Sequence, residues 1–161
     1  MKYYFKEDFT ILYDKGALMD ADGHVVYDFE STKVFLPCLQ VYKYGHHIGE
    51  VRERLRFVLG HFDIEVFGEY NDSLVEKLTF IRPKLLLEER GWEVKGDLMK
   101  WNYEITDREG LVLCDVHEEI FHWTKHFTVD IYDEENADAL IMIVLAVYLF
   151  DKEADAAAAA A

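Results

Sequence analysis

Cationic side chains are scarce in this chain: 17 Lys plus Arg stand against 32 Asp plus Glu in 161 residues, a formal net charge of −15. Attraction to a phosphate backbone needs the opposite balance, so nucleic acid is excluded as a partner, and an anionic surface would require a local basic site. Proline occurs twice, and with 51% hydrophobic and 15% aromatic residues the composition excludes disordered, collagen-like and coiled-coil chains. Cysteine also occurs twice, as Cys38 and Cys114, without a C-x-x-C pair. That excludes a disulfide scaffold and points to two buried thiols in a reducing compartment, with a reactive thiol or metal ligand as the alternative. Serine is confined to Ser31 and Ser73, neither in a G-x-S-x-G elbow, and no glycine-rich phosphate loop is present. The expectation is therefore a protein without enzymatic activity and without a cofactor, a small hydrolase being the alternative. No apolar run reaches the roughly 20 residues of a membrane-spanning helix. Glu7 and Asp8 interrupt the N-terminus before a signal-peptide core can form, so a cytoplasmic location is expected.

What is present is strand periodicity. From about residue 8 to 135 short alternating runs succeed one another, as in Phe62-Asp63-Ile64-Glu65-Val66-Phe67 and Phe127-Thr128-Val129-Asp130-Ile131-Tyr132. Glycine sits where tight hairpins need it, in Asp20-Ala21-Asp22-Gly23, Lys43-Tyr44-Gly45-His46 and Asp107-Arg108-Glu109-Gly110. The segment Gly49–Glu69 aligns without a gap on Cys114–Glu134 at an offset of 65 residues, pairing Val51 with Val116, His61 with His126 and Phe62 with Phe127. A second hairpin likeness joins residues 22–29 to residues 109–116. Both indicate repeated hairpin units, chance similarity of alternating strands being the alternative.

The acidic residues Asp133, Glu134 and Glu135 then lead into a stretch that carries no charge from Ala139 to Phe150. Carboxylates suit a helix N-terminus, and a helix apolar on every face cannot lie on a surface. The expected architecture is a mainly β, closed antiparallel barrel of about twelve strands around a central hydrophobic C-terminal helix at about 137–150; a final strand pair is the alternative. One domain covers 1–153. Residues 154–161 form an alanine-rich tail, set aside as disordered or appended sequence.

In this order the pieces resemble the LURP-one-related family of the tubby C-terminal-like superfamily, which also holds the phospholipid scramblases. The matching pieces are Phe9-Thr10-Ile11-Leu12-Tyr13-Asp14, Asp20 to Tyr27, Gly49-Glu50-Val51-Arg52-Glu53-Arg54-Leu55, Lys77 to Lys84, Gly91 to Asp97 and the terminal apolar helix. The likeness runs from about residue 2 to 150 and implies a twelve-stranded barrel threaded by a hydrophobic helix. The superfamily's phosphoinositide binding implies a candidate ligand class, although a shared fold is not a shared function.

Candidate sites follow. Arg52, Arg54 and Arg56 alternate with Glu53, Leu55 and Phe57, so on a strand the three guanidiniums share one face about 6.6 Å apart. This stripe is the candidate site for phosphate or anionic phospholipid headgroups, which would place the protein peripherally at the inner membrane face. A solvated barrel face paired with the abundant carboxylates is the alternative. Lys77, Arg82 and Lys84 form a weaker basic group. His46, His47, His61, His117, His122 and His126 lack the spacing of a zinc site. Asp20-Ala21-Asp22-Gly23 approaches a calcium loop, but Ser31 stands where the bidentate Glu belongs, which makes it a turn. Trp92, Trp101 and Trp123 are read as barrel packing. The other functional expectation is a soluble protein-interaction module whose acidic exterior meets a basic partner.

Overall fold

The computed structural model describes residues 1–10, 13–33, 36–54, 59–77, 84–119 and 126–160; side chains of 7–14, 33, 99, 119, 126 and 153–158 are outside the description. Twelve strands precede one helix: β1 (Lys2–Thr10), β2 (Tyr13–Met19), β3 (Val25–Lys33), β4 (Pro37–Lys43), β5 (His46–Glu53), β6 (His61–Val66), β7 (Tyr70–Lys77), β8 (Lys84–Leu87), β9 (Glu93–Asp97), β10 (Asn102–Thr106), β11 (Val112–Glu119), β12 (His126–Ile131) and α1 (Ala137–Ala160). Every strand pairs antiparallel with its neighbour in sequence. The ring closes where Lys2, Tyr3 and Tyr4 of β1 register with Asp130, Val129 and Thr128 of β12. Closure leaves no unpaired edge to template aggregation.

Alternation decides which side faces in. On β6, Phe62, Ile64 and Val66 are buried while His61, Asp63 and Glu65 face out. Gly45 and Gly110 take positive φ in their hairpin turns, at 75° and 88°, a region that costs glycine nothing. Leu140 to Val147 are each 0% exposed. Eight consecutive residues span two full helical turns, so α1 is buried on every side, which only a threaded helix can be. The helix excludes the final strand pair considered above. It also runs past 150 through the alanines to Ala160, consistent with alanine having the best intrinsic helix propensity.

The offset-65 likeness is structural. Val51 registers with Ile64 and Glu50 with Glu65 in β5–β6, as Val116 does with Val129 and Asp115 with Asp130 in β11–β12. Four strands separate the two hairpins on either side in a ring of twelve, so they stand on opposite sides of α1. The other likeness, 22–29 with 109–116, falls out of phase. It equates β3 with β11, whereas the repeat equates β11 with β5, so it reflects a common hairpin pattern rather than the same duplication.

The helix is not centred. It packs closest to β5 and β6, where Gly49 leaves no space: a Cβ there would meet the Glu65 carbonyl oxygen at 2.0 Å and Met142 Cε at 2.9 Å. Across the barrel, large rings fill the wider gap. Phe127 stacks on Trp101 and on Phe5 at 4.2 Å each, and Tyr148 of α1 leans on Phe5 and Phe29. Trp101 Nε1 donates to the buried Asp151 carboxylate at 3.2 Å, so Trp92 and Trp101 are both packing residues, while Trp123 lies outside the described residues.

Candidate functional site

The outward faces of β5, β6 and β7, with the turn after β8, form a groove of about 590 Å³. Arg52 and Arg54 both project into it and more than half of each side chain is exposed. Neither is unengaged. Arg52 is hydrogen-bonded and ion-paired to Glu50, which holds its guanidinium even more firmly protonated than usual. Arg54 Nε donates to Asp63 Oδ2 at 2.5 Å, and Ser73 Oγ donates to Asp63 Oδ1 at 3.0 Å. Glu50 in turn accepts from Gln40 Nε2 at 3.1 Å. The period-2 spacing thus brings the first two arginines to one face; Arg56, the third, lies outside the described residues.

Six carboxylates line the groove, from Glu50, Asp63, Glu65, Asp72, Glu88 and Glu89, against two guanidiniums. Its field is therefore that of an anionic cleft, favouring cations. Asp72 alone is buried, at 3% exposure, and is fully occupied: it accepts backbone N–H groups from Glu89 at 2.9 Å and Arg90 at 3.0 Å and the Tyr70 hydroxyl at 3.2 Å. A buried carboxylate needs such partners.

A smaller recess of about 320 Å³ opens at the barrel mouth, over the start of α1. Asp138 accepts from Lys43 Nζ and from the Tyr27 hydroxyl, both at 2.6 Å. Burial first, then this bond to Asp138, pushes the Tyr27 phenol far up. The carboxylate also sits in the helix's first turn, where the dipole favours it. Arg90 lies over the Tyr70 and Trp92 rings, 4.5 and 4.7 Å from their centroids.

The other sequence candidates disperse. Lys77 and Lys84 face each other in the β7–β8 register but are offset by Glu88 at 3.7 Å and Glu93 at 2.7 Å; Arg82 is outside the described residues. His47 packs between Tyr42 and Phe67, His61 sits 3.7 Å from Asp63, and His117 contacts Asp115 at 2.9 Å; the side chains of His122 and His126 are not described. Asp20 forms the expected turn, accepting N–H groups of Asp22 and His24, and the His24 bond holds its carboxyl below the ordinary value. Both cysteines are free and buried. Sequence reasoning missed Lys43, Asp72, Arg90, Arg108 and Asp138, which converge from distant segments without a motif.

A closed twelve-stranded antiparallel barrel threaded by an apolar helix, with polar grooves on its outer wall and mouth, defines a class of small barrel domains whose interior is filled. Within it the chain belongs to the LURP-one-related family, whose model matches residues 2–150. It is similar to the uncharacterized protein YxjI of Bacillus subtilis (strain 168), 28% identical over 105 residues, 65% of this chain and 63% of the relative, so the match spans less than two thirds of that relative. No solved structure is significantly similar to the chain. Among the described residues no helix is long and apolar enough to cross a membrane.

Proposed function

We propose that the protein is a non-enzymatic binding module whose outer groove along β5–β7 takes a lysine- or arginine-rich segment of a protein partner. The observation that carries this reading is the excess of carboxylates in the groove, where the two arginines are already paired with Glu50 and Asp63. An incoming phosphate would have to displace those carboxylates or add to a net negative cleft, in a chain of net charge −15. An incoming guanidinium or ammonium meets Glu65 and Glu89 directly, beside Glu88, which Lys77 already approaches at 3.7 Å. Charge pairing of this kind is screened by salt.

The test is a titration of the purified protein with an octa-arginine peptide and, separately, with neutral and phosphatidylserine-containing vesicles at low and moderate salt. Peptide binding that weakens with salt and is lost in E65K/E88K supports the reading. Binding to anionic vesicles alone, abolished when Arg52, Arg54 and Arg56 are changed to Ala, would replace it with headgroup recognition at a membrane surface.

A further inference from the structure

We infer that the turn joining β8 to β9 is a strap that couples the outer groove mechanically to the start of the core helix. Glu88 and Glu89 of this turn line the groove, while the next residue, Arg90, reaches to the barrel mouth. There Arg90 Nη1 donates to Asn136 Oδ1 at 2.5 Å, and Asn136 immediately precedes α1. Asn136 Nδ2 is itself tied to Asp133 at 2.7 Å.

The turn is gripped on both sides of its peptide groups. From β7 the Asp72 carboxylate takes the N–H groups of Glu89 and Arg90. From the β10–β11 turn Arg108 donates Nη2 to the Glu89 carbonyl at 2.6 Å and Nε to the Arg90 carbonyl at 2.8 Å. Gly91 completes the grip, since a Cβ there would lie 2.3 Å from Arg108 Nε. Water usually satisfies the polar groups of an exposed hairpin turn. Here two charged side chains do so, and hydrogen bonds to charged groups are the stronger ones. With both N–H and C=O groups held, a displacement of Glu88 or Glu89 has little slack to absorb it and passes to Arg90. From there the Asn136 bond carries it to the helix start, with the Arg90 guanidinium held over the Tyr70 and Trp92 ring faces.

Amide hydrogen exchange on the wild type, Asp72→Asn, Arg90→Ala and the double variant tests the strap without any ligand. Asp72→Asn is expected to speed exchange about tenfold at residues 89–91 and at Ile141 to Ile143, the first amides of α1 with intrahelical partners, while Val51 and Val116 in the wall stay protected. In the Arg90→Ala background the same change should still loosen the turn and add nothing at the helix. Two results overturn the inference: a loosened turn with an unaltered helix start when Arg90 is present, or an equal helix effect with and without Arg90. Arg108→Gln releases the carbonyl side of the grip and is read in the same way should Asp72→Asn fail to fold.

Discussion

The hairpins β5–β6 and β11–β12 share register and inward alternation, yet they do different work on opposite walls of the barrel. Inside, the first hairpin admits α1 closely because Gly49 stands where the second has the buried Cys114. Phe127 of the second has its counterpart in the buried Phe62 of the first, and the space left by the receding helix is filled by the Trp101 and Phe5 rings stacked on Phe127. Outside, both carry a nitrogen-bearing side chain in contact with a carboxylate two residues earlier on the same face: Arg52 with Glu50, and His117 with Asp115. Because the contact recurs on both walls, it is a feature of the unit. What sets the first hairpin apart is Arg54 bound to Asp63, where the second has Glu119 and Thr128. The repeat therefore fixes the frame, and departures from it mark where the walls specialise.

The largest expected effect comes from the ring stack. Phe127→Ala should cost about 4 kcal/mol, because the buried cavity would be walled by Trp101 and Phe5, which are held in place by their own partners. The midpoint of guanidinium unfolding measures it. Next, Gly49→Ala should cost about 3 kcal/mol, since the obstacle is the Glu65 backbone oxygen rather than a flexible side chain. Its counterpart Cys114→Ala should cost only about 1 kcal/mol. Equal costs at the two sites would show that the β6 backbone does not approach Gly49 as closely as described.

These contrasts explain what could be read in the sequence. Alternation such as Phe62, Ile64, Val66 and the uncharged run from Ala139 specify a barrel and its threaded helix, because burial forces their periods. The offset-65 alignment located two equivalent hairpins for the same reason. The off-centre helix was not legible, because Gly49 reads as a loose strand residue until Met142 is set against it. The arginine stripe was visible, but the carboxylates around it come from β6, β7 and the β8–β9 turn, at spacings no local pattern encodes. Asp72, Arg90 and Arg108 were invisible for that reason too.

Titration sharpens the comparison at the same pair of positions. Burial, followed by the nearby Asp115 and Asp130 charges, pushes the Cys114 thiol well above its ordinary value of 9.0. A raised folded-state value means the neutral thiol stabilises the fold fully below that ordinary value, and the contribution is lost progressively as pH rises from there toward the raised folded-state value. Stability should therefore fall more steeply above pH of about 9 in the wild type than in Cys114→Ala. Gly49 gives the first hairpin no such dependence. Native protein should also leave Cys114 unalkylated by iodoacetamide at pH 8, with modification appearing only on unfolding.

The smallest effect on stability carries the most information about function. Arg52→His combined with Arg54→Glu gives β5 the outward residues of β11, and exposed pairs of this kind are worth about 0.5 kcal/mol or less. Unfolding midpoints should barely move. Binding should move a great deal, because the exchange removes two guanidinium charges from the groove and adds a carboxylate. If the groove takes a basic segment, octa-arginine affinity rises at low salt and the gain shrinks as salt is added. If Arg52 and Arg54 hold an anion, the same double variant loses vesicle binding instead. A change in neither would mean that the outward faces of the two hairpins are equivalent solvated walls, and that the specialisation of the first hairpin ends with its contact to the helix.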